Sequence, residues 1–285
     1  MYRSTFIYKN LLILDMWMQR PAVLNCPPGL EHLTQVDQLF IKQKVDVIET
    51  FVPFEVKNRY TCLNKSGQVV YKCYEESSYF SRIFCGSSRS FVLHIVNDNN
   101  AEVIRVIRPF RCEWYPCFTC VEFFQVEVEV QSPVDTTIGY VKRVFNGCLL
   151  DYHIQDSNGN TVLQLRGPKY CVCECWGLDI VFKVTSADGS EEIGEITRSW
   201  SGIVKELFTD ADNFSISFPL DLDVKIKAIL LGAVFLIVSP ITSYMFLIYS
   251  KDGELLLRIN CRVIFSRMVL DYAILYRRRF FCVFD

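Results

Sequence analysis

Phe91-Val92-Leu93-His94-Ile95-Val96-Asn97-Asp98-Asn99-Asn100-Ala101-Glu102-Val103-Ile104-Arg105-Val106-Ile107 is two apolar, β-branched runs joined by Asn and Asp. Val and Ile suit a pleated strand, and Asn and Asp tolerate the positive φ of a tight turn, so this stretch predicts a β-hairpin. The same pattern recurs along the chain. Tyr60–Leu63 and Gln68–Tyr74 flank Asn64-Lys65-Ser66-Gly67, and Tyr152–Gln155 and Thr161–Arg166 flank Asp156-Ser157-Asn158-Gly159-Asn160. Leu178–Thr185 and Ile193–Thr197 flank Ser186-Ala187-Asp188-Gly189. From Val126 to Val130 valine alternates with glutamate, as in a strand with one wet face. A strand roughly every ten residues points to a sandwich or a closed barrel. No strand–helix alternation is visible, which argues against a parallel nucleotide-binding sheet.

Two helical patterns interrupt the strands. Trp200, Ile203, Val204, Leu207 and Phe208 have the spacing of an amphipathic helix. The second begins after Asp223, a candidate N-cap, and passes Lys225 and Lys227. It continues through Ala228, Ile229, Leu230, Leu231, Gly232, Ala233, Val234, Phe235, Leu236 and Ile237. A helix apolar on every side must be buried, either in protein or in lipid. The run Ala228–Tyr249 carries no charge in 22 residues, enough to cross a bilayer core of about 30 Å. We therefore expect Ala228–Ile237 to enter the membrane, with a plug inside a barrel as the rival. Ser239-Pro240 cuts the run, and Tyr244–Tyr249 with Glu254–Ile259 around Lys251-Asp252-Gly253 resembles one more hairpin.

Composition narrows the function. The chain has 285 residues, 51% of them apolar, and a mean hydropathy of +0.19. A net charge of −2 provides no global basic field for nucleic acid. The basic part is the end: Lys251–Asp285 holds seven Lys or Arg against four Asp or Glu, a local +3. There Arg277, Arg278 and Arg279 precede Phe280 and Phe281, a combination suited to anionic headgroups. Thirteen cysteines without a signal sequence indicate a reducing, cytosolic setting. Cys171, Cys173 and Cys175 share one strand face and read as inert core thiols ahead of a zinc site. Cys112, Cys117 and Cys120 lie among Trp114, Tyr115, Phe118 and Phe123, which suits S-acylation and docking at a membrane interface. His32, His94 and His153 adjoin no nucleophile motif, and neither a Gly-x-Ser-x-Gly elbow nor a P-loop occurs. Covalent catalysis is not expected.

Several runs resemble the phospholipid scramblase family. They are Leu24-Asn25-Cys26-Pro27-Pro28-Gly29-Leu30-Glu31, Ile138-Gly139-Tyr140-Val141, the cysteine-rich Gly167–Gly177, and Phe208-Thr209-Asp210-Ala211-Asp212-Asn213-Phe214 continuing through Phe218-Pro219-Leu220-Asp221-Leu222-Asp223-Val224-Lys225. The resemblance covers about residues 21–237. It implies a mainly β fold: a tubby-like closed antiparallel β-barrel around a central apolar C-terminal helix. It further implies calcium-dependent, ATP-independent, bidirectional movement of phospholipids between leaflets, cysteine palmitoylation, and residence at the plasma membrane with the main domain facing the cytosol, a nuclear pool being allowed. On this reading the domains are a divergent segment 1–20, a barrel 21–223, an apolar helix 224–249 and a divergent basic tail 250–285.

The resemblance also places an EF-hand-like Ca²⁺ loop on Asp210–Asp221. Asp210, Asp212 and Asp221 would supply side-chain oxygens, and Phe214 and Ile216 main-chain carbonyls. Ser215 and Asp221 stand where an EF-hand has Gly and Glu. The residue pattern pulls the other way. Phe214, Ile216, Phe218, Leu220, Leu222 and Val224 alternate like a strand, which would hold Asp221 roughly 30 Å from Asp212. The family's proline-rich leader, which binds SH3 and WW domains, is missing, so those partners are not expected. The expected partners are membrane phospholipids, with a homo-oligomer allowed. The alternative function is a non-transporting, membrane-attached lipid-binding or signalling adaptor of tubby-like fold. A third reading is an isoform whose foreign tail spoils the barrel.

Overall fold

Asn64, Asn97 and Asp156 each fold the chain back on itself in the same way. In each, the side-chain Oδ1 accepts hydrogen bonds from the main-chain N–H groups two and four residues on. The residue three further on takes positive φ: 78° at Gly67, 58° at Asn100 and 84° at Gly159. The strand register shifts beside each turn, as a one-residue bulge requires. These turns belong to a computed structural model that describes residues 16–22, 26–44, 59–77, 90–110, 126–146, 149–168, 179–199 and 213–246.

The strands are β1 (Gln38–Lys44), β2 (Arg59–Leu63), β3 (Val69–Glu76), β4 (Phe91–Val96), β5 (Glu102–Arg108), β6 (Glu127–Gln131), β7 (Thr137–Asn146), β8 (Leu149–Asp156), β9 (Thr161–Arg166), β10 (Ile180–Ser186), β11 (Glu192–Ser199) and β12 (Asn213–Ser217). Each pairs antiparallel with its neighbours in the chain, and β1 closes the barrel by pairing with both β2 and β12. Ile41 therefore lies opposite Cys62 on one side and Phe214 on the other. Inward positions such as Leu93, Ile95, Val106, Val128, Val141, Ile154 and Ile216 are all at most 1% exposed.

The helix α1 (Val224–Phe246) fills the lumen. Asp223 caps it as the sequence predicts, its Oδ1 accepting from the N–H of Lys225 at 2.7 Å. One expectation is corrected. Ala228, Ile229, Leu230, Leu231, Gly232, Ala233, Val234, Phe235, Leu236 and Ile237 do not face lipid; they are buried as the barrel's core. Among the described residues, no helix is long and apolar enough to cross a membrane. The reason is geometric. A closed ring of inward Val, Ile and Leu needs an apolar partner in every direction, and a helix apolar on every side supplies it. Each large side chain buried this way contributes about 1.5–3 kcal/mol. Ser239-Pro240 does not end the helix, so Tyr244–Phe246, read from sequence as strand, are helical.

One end of the barrel is capped. A 3₁₀ turn, Glu31–Gln35, drives Leu33 inward beside Leu30, both fully buried. Tyr71 Oη donates to the carbonyl of Gly29 at 2.9 Å. Residues of the predicted N-terminal segment dock here too. The N–H of Met18 donates to the Val69 carbonyl and that of Val69 to the Met16 carbonyl, both at 2.8 Å, and Arg20 pairs with Asp98 at 2.8 Å. Lys227, on the first turn of α1, is wholly buried. Its ammonium donates to the carbonyls of Leu33, Val36 and Leu220 at 2.8–3.0 Å, one acceptor for each of its protons. Burial pushes its pKa below the ordinary lysine value, while Asp37 and Asp221 pull it back.

Candidate functional site

The meander gives the barrel two unlike ends. β1, β3, β5, β7, β9 and β11 run away from the cap, and β2, β4, β6, β8, β10 and β12 run back towards it. The tight turns after Leu63, Val96, Gln131, Asp156 and Ser186 therefore all lie at the capped end. The connections 45–58, 77–90, 109–126, 147–148, 167–179 and 200–212 all join strand ends at the opposite rim. Helix α1 starts at the cap and runs towards that same rim.

This polarity sorts the predicted site residues. Cys112, Cys117 and Cys120 lie outside the described residues, in the sequence between β5 and β6. The last described residue before them, Phe110, is 52% exposed, an aromatic presented at the rim opposite the cap. Asp210 and Asp212, also outside the described residues, precede β12 in the sequence. Phe214 and Ile216 are buried in β12, which is paired with β1 and β11. Their carbonyls sit in a strand bonded on both sides, so neither fits as a ligand of a loop-bound cation. Asp221 is exposed in the turn that follows, at the capped end. Five residues of β12, about 17 Å of strand, separate the two groups of aspartates. The alternation read from Phe214 to Val224 holds only to Phe218. Beyond Pro219 the N–H of Leu222 turns back to the Pro219 carbonyl at 3.2 Å, and Leu220 is 57% exposed. Cys171, Cys173, Cys175 and the 200–208 helix pattern lie outside the described residues.

At the capped end, Cys26, Thr34, Leu220, Asp221, Leu222, Asp223 and Val224 line a cleft of about 290 Å³. Burial first, then the charges of Glu31 and Asp223, push the Cys26 thiol up, away from the nucleophilic thiolate. Among the described residues, no three His, Cys, Asp or Glu side chains converge as a metal site would require. His94 bridges Glu102 at 2.8 Å and Glu76 at 3.2 Å on the outer face, and Arg105 holds Glu102 through two nitrogens. Burial lowers the pKa of His153, with Lys142 acting the same way and Asp151 against it. His32 is buried, with Nε2 3.2 Å from the Met18 carbonyl and its ring edge-on to Tyr71. These histidines serve packing and pairing.

The sequence reading passed over Arg108, Arg143 and Arg198 on the inward phase of the strands, and named Lys227 without a role. Their signal is a basic residue falling on the inward phase of an otherwise apolar strand or helix, as in Ile104-Arg105-Val106-Ile107-Arg108.

A family model described as Scramblase matches residues 16–240. Phospholipid scramblase 2 of Bos taurus is 45% identical over 225 residues, 78% of this chain and 74% of that protein. Phospholipid scramblase 1 of Homo sapiens is 44% identical over 222 residues, 78% of this chain and 68% of the relative. Phospholipid scramblase family member 5 of Homo sapiens is 40% identical over 233 residues, 81% of each chain. No solved structure matches.

Proposed function

The chain belongs to the scramblase family, and from that premise we propose that it moves phospholipids between the two leaflets of a membrane, in both directions, without ATP and in response to calcium. The observation that carries this is the 44–45% identity, over 78% of the chain, to proteins named phospholipid scramblases. The barrel's polarity supports a placement. The rim opposite the cap, with exposed Phe110 at the start of the connection bearing Cys112, Cys117 and Cys120, faces the cytosolic leaflet of the plasma membrane, held by acyl chains on those cysteines. The capped end, tied down by Lys227, faces away. No bond is made or broken: the protein lowers the barrier to dragging a polar headgroup through hydrocarbon. Calcium reaches this reading through the family resemblance, with Asp210 and Asp212 as the oxygen donors that remain once Phe214, Ile216 and Asp221 are set apart by β12.

Reconstitution of the purified full chain into liposomes carrying a fluorescent phospholipid tests the reading. Added calcium should expose more label to a membrane-impermeant reductant than the outer leaflet alone holds. The burial of α1 inside the barrel favours a second reading, the lipid-binding adaptor, because it leaves that helix unavailable as a span. In that case the chain binds the vesicles while the inner-leaflet label stays protected.

A further inference from the structure

The outer wall of the barrel is not evenly charged. Strand pairing places Lys42 opposite Thr61 and Thr61 opposite Lys72, one row across β1, β2 and β3. Arg59, two residues before Thr61, lies opposite Tyr74 on β3. Side chains alternate along a strand, and the intervening Ile41, Tyr60, Cys62 and Cys73 are buried in the core, with the Tyr60 ring against Phe235 of α1. Lys42, Arg59, Lys72 and Tyr74 therefore point outwards together.

Lys42 and Arg59 are exposed, and neither forms an ion pair with a described residue. Lys72 is half-buried, its ammonium 5.1 Å from the centre of the Trp17 ring, and Tyr74 is 36% exposed. Ser215 and Ser217 on β12 and Gln38 and Phe40 on β1 extend this wall without charge. Among the described outward positions of β12, β1, β2 and β3 there is one acid, Glu76, and His94 pairs with it at 3.2 Å. Asp37, just before β1, is held by Lys65 at 2.6 Å. The other side of the barrel reverses the balance: on β5–β8, Glu102, Glu127, Glu129 and Asp151 outnumber Arg105 and Lys142.

The basic wall also has a place along the axis. β1 and β3 run away from the cap and β2 runs back, so Lys42, Arg59 and Tyr74 lie in the half nearer the opposite rim. Cations spread over a sheet face, with a tyrosine and a tryptophan among them, match an anionic bilayer surface. Lys and Arg are drawn to acidic headgroups, and the amphipathic rings of Tyr and Trp settle at headgroup level. A chain of net charge −2 has no general attraction to such a surface, so a one-sided wall is what would orient it.

We propose that the rim-side outer wall of β1–β3 docks on an anionic phospholipid surface, with Lys42, Arg59 and Lys72 on the headgroups and Tyr74 between them. The inference deepens the proposed lipid function and rests on it for the partner being a membrane.

The test measures co-sedimentation of the purified full chain with vesicles of phosphatidylcholine alone, or of equal parts phosphatidylcholine and phosphatidylserine. The unmutated chain should favour the phosphatidylserine vesicles, less so as salt rises. Lys42→Gln and Arg59→Gln should each weaken that binding roughly fivefold, and together about twenty-fold. Lys183→Gln on β10, where Glu192 already pairs the lysine at 2.7 Å, should change nothing. In the unmutated chain phosphatidylserine vesicles should also slow acetylation of Lys42 and leave Lys65 unchanged, a readout that holds even if a variant misfolds. A folded double variant that binds normally, or Lys42 labelled equally with and without these vesicles, overturns the proposal. So does a single-stranded oligonucleotide that outcompetes the vesicles and loses its grip in the double variant, which would reassign the wall to nucleic acid. Scrambling by a chain that shows no phosphatidylserine preference sinks this inference and leaves the proposed function standing; wall-dependent vesicle binding without scrambling does the reverse.

Discussion

Gly139 on β7 faces Ile229 on α1 with no room for one more carbon. A Cβ at Gly139 would stand 2.5 Å from Ile229 Cδ1 and 2.2 Å from the Gln155 carbonyl oxygen on β8. The Ile229 methyl can turn aside, but the Gln155 carbonyl is backbone held in the barrel wall and cannot yield cheaply. Gly139→Ala should cost about 1–3 kcal/mol by overpacking. Gly232→Ala should cost less, because a Cβ there first meets a Val130 methyl at 2.8 Å. Urea midpoints of the two variants should fall in that order, and an unchanged midpoint for Gly139→Ala would contradict the close approach of β7 to β8 and α1 at this position.

Lys227→Met keeps the length of the side chain and removes its three protons. The carbonyls of Leu33, Val36 and Leu220 then lose their shared donor inside the cap. Leaving a buried carbonyl without its donor costs about 1–3 kcal/mol. Amide exchange should rise first around Glu31–Gln35, where the cap is tied to α1. Protection retained there would contradict the assigned role.

Acid sensitivity has a local source in the turns. Asp156 is held below the ordinary aspartate value chiefly by Asn160, and Asp188 is held down to about 2 chiefly by the Ser186 hydroxyl. A carboxylate with a lowered folded pKa adds stability above its unfolded value of 3.8. That contribution is lost as pH falls through the folded value. Asn already does the same turn work at Asn64 and Asn97. Asp156→Asn with Asp188→Asn should therefore fold normally at neutral pH and show a shallower fall in Tm between pH 4 and pH 2. An identical acid slope would place the sensitivity elsewhere.

Calcium separates two groups of aspartates. Asp221→Ala should leave any calcium response in place, because β12 keeps Asp221 at the capped end. Asp210→Ala and Asp212→Ala should each weaken it. Calcium titration of the three single variants checks this, and equal loss in all three would mean that β12 leaves the sheet when calcium binds.

Replacing Cys112, Cys117 and Cys120 together with Ala should shift the chain from the membrane fraction to the soluble fraction, since one acyl chain alone binds only marginally. Unchanged fractionation, with no palmitate label at these positions, would remove acylation from the proposed function.

The hairpins were readable because their instructions are local: an Asx side chain, a residue tolerant of positive φ and two apolar runs lie within about twenty residues. The closure of β1 onto β12 was not readable from residues alone. Gln38 meets Ser217 across most of the chain, and no short pattern encodes that pairing. The destination of α1 was undecided for another reason: a barrel lumen and a lipid bilayer ask for the same composition. Leu220, Leu222 and Val224 kept a strand rhythm by coincidence after Pro219 had ended the strand. Arg108 and Arg198 were hidden because inward and outward charge look alike until the register is known.

The closing pairing also orders how the molecule can come into being. Gln38–Lys44 emerges early in synthesis, yet its partner Asn213–Ser217 begins 175 residues after Gln38 and the plug Val224–Phe246 186 residues after it. Until then a nascent sheet has two raw edges and an uncovered greasy lumen, the condition in which chains pair with the wrong neighbour. Such high contact order slows folding, and a half-built cylinder leaves its lumen uncovered until α1 arrives.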